Sequence, residues 1–314
     1  MTDETTKPVQ SAPSQAEPKQ SASAPLPSHQ PPSTRRALLK HAAGVGAAIG
    51  TAGLVSACGS ADDQGPGRSP APARRQVKLK MVTTWLPGFP GLGTGAERFA
   101  RRVNETSDGS IDIDVYAAGE LVDALGAFDA VSQGKADLYH GGEYYWQGKS
   151  RAFNFFAALP FGMTAEEIAG WVYYGGGQAL WDELSAKFNI KPLMAGNTGT
   201  QMGGWYNKEI NQVADFAGLR IRMPGLGGEV MSKLGATPVT KAGSEIYVSM
   251  EQGNIDASEW VGPWNDLAFG FHRIAKYYYY PGFHEPGTAL SVGFNKDVWE
   301  GLTKAQKAIM KAAA

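Results

Sequence analysis

One cysteine, Cys58, is all that the 314 residues contain. A disulfide framework, a CxxC metal clip and, beyond residue 58, a cysteine nucleophile are thereby excluded. Histidine is scarce too: among His29, His41, His140, His272 and His284 no pair has the i, i+4 spacing that sets two zinc ligands on one helix face. A hydrolytic zinc site is disfavoured. Net charge is nearly absent, 29 Lys and Arg against 30 Asp and Glu giving −1. With no bulk positive field to hold phosphate backbones, nucleic acid is not an expected partner. No GxSxG, P-loop or strand-to-helix GxGxxG occurs, and the Gly-rich stretch from Pro87 to Gly95 lacks the Lys-Ser/Thr pair of a phosphate loop. That stretch reads as a turn. The one mildly apolar run, Ala42 to Ala57, is too short and too weak to cross a membrane.

What is present begins with an address. Residues 1–33 are rich in Pro, Ser and Gln, a composition that predicts disorder. Thr34-Arg35-Arg36-Ala37-Leu38-Leu39-Lys40 matches the twin-arginine export pattern, and Val55-Ser56-Ala57-Cys58 resembles the lipobox at which a new N-terminal cysteine is acylated. Two signals in the right order assign residues 1–57 to a leader and Cys58 to lipidation. Residues 58–76, rich in Gly and Pro, read as a flexible tether. The mature protein is expected outside the inner membrane, anchored to it without spanning it.

At 314 residues, with 43% hydrophobic and 19% charged residues, the chain is long enough to bury two modest cores that share a cleft. Val77-Lys78-Leu79-Lys80-Met81 and Ile111-Asp112-Ile113-Asp114-Val115 alternate with period two, and between them Ala96, Phe99, Ala100 and Val103 fall on one helix face. Strand, helix, strand is a βαβ unit. Asp123 is placed to cap a helix carrying Leu125, Phe128 and Val131, which Gly134 ends before a strand at Ala136-Asp137-Leu138. Thr164-Ala165-Glu166-Glu167 is a capping box ahead of Ile168, Trp171 and Val172. The stretch from Phe128 to Asp137 then lines up with that from Tyr247 to Asp256: aromatic, apolar, Gln-Gly, and an Asp three residues on. Either common helix-end chemistry recurs by chance, or two similar α/β lobes each offer a strand end to one cleft.

Candidate binding groups are few. Leu219-Arg220-Ile221-Arg222-Met223-Pro224 alternates, placing Arg220 and Arg222 on one face. Two solvated arginines on a surface strand is the plain reading; an arginine fork at a cleft, suited to a carboxylate, is the sharper one. Glu259, between Ser258 and Trp260-Val261-Gly262-Pro263-Trp264, needs a cation if buried, whether an arginine or a metal ion. Otherwise it is a structural ion pair or exposed. Tyr144-Tyr145-Trp146 and Tyr277 to Tyr280 are core or cleft wall.

From Val77 onward these stretches resemble the extracytoplasmic solute-binding subunits of TRAP transporters. The resemblance rests on Gly218-Leu219-Arg220-Ile221-Arg222-Met223-Pro224, then Leu234-Gly235-Ala236-Thr237-Pro238-Val239, then Glu251-Gln252-Gly253-Asn254-Ile255-Asp256-Ala257. It implies that Arg222 clamps a substrate carboxylate. Glu259-Trp260-Val261-Gly262-Pro263 resembles the branch that takes 2-oxo or 2-hydroxy monocarboxylates through a bridging sodium or calcium ion; dicarboxylate and sialic acid branches commonly have an asparagine there. The resemblance further implies that Gln201, the Glu259 side chain and the Trp260 backbone hold the cation, while Tyr145 (or Tyr144, one position earlier) and Glu285 contact the ligand. Family members usually continue beyond the helix that starts near Leu302, so Ala314 implies a fragment or a shortened member.

The expectation is therefore a two-lobed α/β periplasmic binding fold (type II-like), with residues 77–200 as lobe 1, 201–285 as lobe 2 and 286–314 returning to lobe 1. Its expected function is capture of a small carboxylate for TRAP membrane subunits, not catalysis. The rivals are a ligand sensor of the same fold and an exported enzyme acting on organic acids, in which Glu259 or Glu285 would serve as base.

Overall fold

The computed structural model describes residues 76–314. The predicted disordered start, twin-arginine segment, Cys58 and nearly all of the tether lie outside the described residues.

The chain opens with β1 (Val77–Thr83), α1 (Gly93–Thr106) and β2 (Ile111–Tyr116), with β1 and β2 parallel, so the βαβ unit forms where alternation and helical spacing predict it. Ala96, Phe99, Ala100 and Val103 are the face that α1 buries. The helix begins inside the stretch read as a turn. At Gly93 an added Cβ would lie 2.4 Å from the Leu86 carbonyl oxygen, so glycine is what lets the helix start against that loop. A single 3-10 turn at Ala124–Gly126 leads into α2 (Ala127–Ser132), and Asp123 makes no side-chain cap. The 3-10 entry takes the place of the capped start expected at Asp123. β3 (Leu138–Gly141) follows, then 3-10 turns at Glu143–Trp146 and Arg151–Phe156, α3 (Ala165–Tyr174), α4 (Gly177–Ala186) and β4 (Ile190–Asn197). The capping box at α3 is present, with Thr164 and Glu167 bonded reciprocally.

The second half comprises β5 (Gly204–Tyr206), β6 (Arg220–Arg222), α5 (Gly225–Lys233), β7 (Thr237–Val239), α6 (Gly243–Glu251), β8 (Ala257–Ser258), α7 (Pro263–Phe269) and β9 (Tyr277–Tyr279). β10 (Ala289–Asn295), α8 (Lys296–Gly301) and α9 (Lys304–Ala313) complete it. Two five-stranded sheets result, β2-β1-β3-β10-β4 and β7-β6-β8-β5-β9. In each the first three strands are parallel, the fourth runs antiparallel to both its neighbours, and the order is the same. Two similar lobes account for the repeated sequence.

The repeat holds atom by atom. Gly134 and Gly253 both take left-handed φ, 73° and 70°, the conformation that glycine supplies at a helix end. The next amide, of Lys135 or Asn254, bonds back to Ala130 or Ser249, 2.8 Å in both cases. Asp137 and Asp256 each exchange two bonds with the neighbouring strand. Asp137 donates its N–H to the Lys80 carbonyl at 2.9 Å and accepts the Lys80 N–H at 2.6 Å; Asp256 does the same with Arg220 at 2.7 and 3.0 Å.

The lobes meet across one apolar seam. Trp85 and Phe89 from the first pack in a single core with Trp260, Ile246, Met250 and Phe271 from the second, and the Phe89 and Phe269 rings lie 4.4 Å apart. Asn265 of α7 donates across the seam to the Pro90 carbonyl at 2.6 Å. Two segments cross between the lobes, residues 198–203 and 280–288, and they are stitched together: Thr198 N–H to the Thr288 carbonyl, Gln201 N–H to the Glu285 carbonyl, and Gly282 N–H to the Gln201 carbonyl, at 3.0, 3.1 and 3.1 Å. No helix among the described residues is long and apolar enough to cross a membrane.

Candidate functional site

Strand parity put Arg220 and Arg222 on one face, and their fates diverge with position. Arg220, at the outer end of β6, is exposed and forks onto Asp256, Nε to Oδ2 at 3.0 Å and Nη2 to Oδ1 at 2.5 Å. Arg222, at the inner end, is 1% exposed. The reading of two solvated arginines fails for Arg222, because β6 carries it under the seam between the lobes.

Four of the five guanidinium N–H groups are engaged. Nε donates to the Lys241 carbonyl at 3.2 Å, Nη1 to the Glu259 carbonyl at 3.3 Å and to Glu259 Oε1, and Nη2 to the Tyr145 hydroxyl at 3.3 Å. The Trp260 ring lies 5.0 Å from the guanidinium carbon, a cation–π contact. Burial opposes the charge on Arg222, but Glu259 outweighs it, so the guanidinium stays protonated more firmly than in water. Tyr145 reaches this group from lobe 1. Tyr144 stands against it edge to face, ring centroids 4.8 Å apart, and burial holds both hydroxyls above their usual pKa.

Glu259 follows β8 directly, and its carboxylate, 1% exposed, spans two neighbours. Oε1 takes Arg222; Oε2 lies 3.3 Å from His284 Nε2, a charge contact without hydrogen-bond alignment. His284 is itself fully enclosed. Burial works against its protonated form, yet the adjacent Glu259 and Glu285 carboxylates raise its pKa above the usual value. Glu285 sits on the crossing segment. Its Oε2 accepts from Gln201 Nε2 at 2.8 Å and from the Thr288 hydroxyl, and burial, then the Glu259 charge, push its pKa up to about 7.

Several buried polar atoms here have no hydrogen-bond partner: Gln201 Oε1, Glu259 Oε2 and both ring nitrogens of His284. Buried polar groups are seldom left so. One ligand atom from each of Glu259, His284 and Glu285 can be chosen so that all lie within 4.8 Å of one another. Two buried carboxylates and an unpartnered amide oxygen fit a hard cation.

Of the residues expected to hold a ligand and cation, the fold thus gathers Tyr145, Gln201, Arg222, Glu259, Trp260 and Glu285 beside the crossing segments. Cys58 lies outside the described residues. His284 was not anticipated; a lone histidine with no periodic partner gives no signal, and only its place beside Glu285 could have drawn notice. Arg222, Glu259, His284 and Glu285 are buried while Tyr145 is half-buried, and a cavity of 530 Å³ lined by Arg98, Asn197 and Trp264 contains none of these groups.

Residues 84–314 match the family model described as bacterial extracellular solute-binding protein, family 7. A monocarboxylate 2-oxoacid-binding periplasmic protein of Nostoc sp. is 45% identical over 237 residues, covering 76% of this chain; the chain spans 65% of that relative's length. A TRAP periplasmic solute-binding protein from Pseudoalteromonas atlantica, solved with bound sodium and pyruvate, is 43% identical with a TM-score of 0.74, over 76% of this chain and 72% of that one. Another from Bordetella bronchiseptica, with copurified calcium and picolinate in one site, is 39% identical with a TM-score of 0.75, over 76% and 71%.

Proposed function

The chain belongs to the bacterial extracellular solute-binding proteins of family 7, and from that premise we propose that it is the extracytoplasmic solute-binding subunit of a TRAP-type transporter, capturing a small 2-oxo or 2-hydroxy carboxylate. The observation that carries this reading is Arg222, a guanidinium 1% exposed, set where lobe 1, lobe 2 and the crossing segments meet. Glu259 keeps that charge inside the protein, and the planar fork matches the geometry of a carboxylate.

The cation belongs to the same reading. Gln201, Glu259 and the Trp260 backbone would hold sodium or calcium, with His284 and Glu285 close by. Such an ion supplies the positive charge that a carboxylate oxygen and a 2-oxo or 2-hydroxy oxygen can chelate together. Pyruvate offers that pair of oxygens, and picolinate sets a ring nitrogen in the same place beside its carboxylate, so the relatives solved with them support a 2-substituted monocarboxylate that chelates a cation. Tyr145, reaching Arg222 from lobe 1, and Glu285, on the hinge, would contact the ligand.

In this reading residues 77–200 and 286–314 form one lobe and 201–285 the other. The lobes open about segments 198–203 and 280–288 and close on the ligand. Closure is what the membrane subunits would recognise. The ligand is retained stoichiometrically and not turned over, as expected of a solute-binding protein. Residues 1–57 would direct twin-arginine export and Cys58 would carry the lipid anchor; mass spectrometry of the membrane-bound protein, with and without Cys58→Ala, tests the anchor.

A thermal-shift screen of pyruvate, lactate, longer 2-oxo acids, succinate and sialic acid, with and without calcium or sodium, tests the ligand. A ligand at a hundred times its Kd adds about 2.7 kcal/mol to folding stability. The expected result is stabilisation by a 2-oxo or 2-hydroxy acid that vanishes in Arg222→Ala. Preference for succinate, or no response to any monocarboxylate, overturns the ligand class.

A further inference from the structure

We propose that Glu259, besides facing the cation, competes internally for Arg222, so that an incoming carboxylate gains the guanidinium only once Glu259 has turned towards a cation. The inference rests on the carboxylate reading above and goes beyond chelation, in which the cation acts only by touching the ligand.

Arg222 has few donors to spare. A bidentate carboxylate needs two parallel N–H groups, from Nη1 and Nη2 or from Nε and Nη2. Nε is held by the Lys241 carbonyl, both Nη1 hydrogens by Glu259 (its carbonyl and Oε1), and one Nη2 hydrogen by Tyr145, leaving one N–H free. Neither edge can accept a carboxylate without displacing something.

The occupants differ in how readily they yield. Two are backbone carbonyls fixed by the chain. Tyr145 is neutral, its pKa raised by burial. The Glu259 carboxylate alone carries the charge of the incoming group, and so occupies the place the ligand needs. It also has somewhere to go: Oε2 is unpartnered and lies beside His284 and within reach of Glu285 in the cluster that fits a cation. Without a cation, a ligand would add an anion next to two buried carboxylates. With one, Glu259 turns to it, an Arg222 edge opens and the charge balances. Cation and carboxylate should therefore bind with positive coupling, which thermodynamics makes reciprocal.

The probe is propionate, which has the carboxylate of pyruvate and no 2-oxo oxygen to chelate with, titrated calorimetrically into the purified protein. Calcium should raise propionate affinity by about tenfold or more, and propionate should raise calcium affinity by the same factor. Glu259→Gln in calcium-free buffer should bind propionate about tenfold more tightly than the parent does without calcium, and calcium should add little. If Glu259→Gln does not fold, Glu259→Asp, whose shorter side chain draws back from Arg222, should shift affinity the same way. Calcium-free binding no tighter in the variant than in the parent overturns the proposal while leaving pyruvate binding by the parent intact. Failure of the ligand reading looks different: the parent then ignores pyruvate even with calcium, or binds it equally well as Arg222→Ala.

Discussion

Strand for strand, Val82 of the first lobe stands where Arg222 stands in the second, and His140 stands where Glu259 stands. The registers fix this correspondence: Met81 pairs with Leu138 and Val82 with Tyr139, as Ile221 pairs with Ala257 and Arg222 with Ser258. Upstream, Asp137 and Asp256 tie their strands in the same way. In lobe 1 the strand ends are neutral. Val82 is core, and His140, fully buried, accepts the Trp85 indole N–H at 2.8 Å while burial lowers its pKa to about 4. In lobe 2 the same places hold a buried ion pair. The scaffold is used twice, and among the described residues the buried ion pair stands in one copy, with the crossing segments bringing Gln201, His284 and Glu285 to it and lobe 1 the Tyr145 hydroxyl.

The largest effect should separate the matched strand ends. Arg222→Ala strands Glu259 without its main counter-charge and should cost about 3–5 kcal/mol in chemical denaturation, with all carboxylate stabilisation lost. Val82→Ala, the same position in lobe 1, removes apolar area only and should cost about 2 kcal/mol, with carboxylate binding retained. Equal losses in both, with ligand response intact in both, would break the contrast.

Next comes pH. Burial, the main cause, holds the folded pKa of His140 at about 4, below its ordinary 6.5. Its contribution is therefore complete above pH 6.5 and is lost as pH falls from there towards 4, by about 3 kcal/mol at most. Glu143, buried near Tyr139, has its pKa raised from 4.5 to about 7, so it erodes stability as pH rises between those values. Denaturation of His140→Asn and Glu143→Gln against the parent across this range should show differences of opposite slope. Parallel curves would mean that lobe 1 is not the neutral copy.

A smaller effect tests the shared turn. Asp137→Ala and Asp256→Ala should each cost about 1–2 kcal/mol, since each leaves a strand N–H without its acceptor, with Asp256→Ala slightly the costlier for the exposed Arg220 fork it also loses. Asp137→Ala without cost would weaken the equivalence of the lobes. Smallest of all, Asn265→Ala removes the bond to Pro90 across the seam and should weaken ligand affinity by about 0.5–1.5 kcal/mol, with little change in the melting temperature of the unliganded protein.

Much of the scaffold was legible because it repeats locally. β1 and β2 alternate over enough residues to show a period of two, the α1 stripe shows 3.6, and the Thr164–Glu167 box carries its own chemistry. β5 and β8, with three and two residues, are too short to show any period and exist by pairing with distant strands. β10 is buried at every position, so it has no polar alternation to betray it. In the site, parity placed Arg222 on the right face but could not say that it would be buried where Arg220 is exposed. His284 was invisible because its meaning comes from Glu259, which is remote in sequence and reached only when the crossing segment folds beside β8.

The most direct test of a charged, cation-assisted second copy is a crystal structure of the protein grown with calcium and pyruvate. The cation is expected on the Glu259 carboxylate, the pyruvate carboxylate on an edge of Arg222, and the Val82 and His140 end of lobe 1 without ligand. Pyruvate bound away from Arg222, or calcium bound without Glu259, would contradict it.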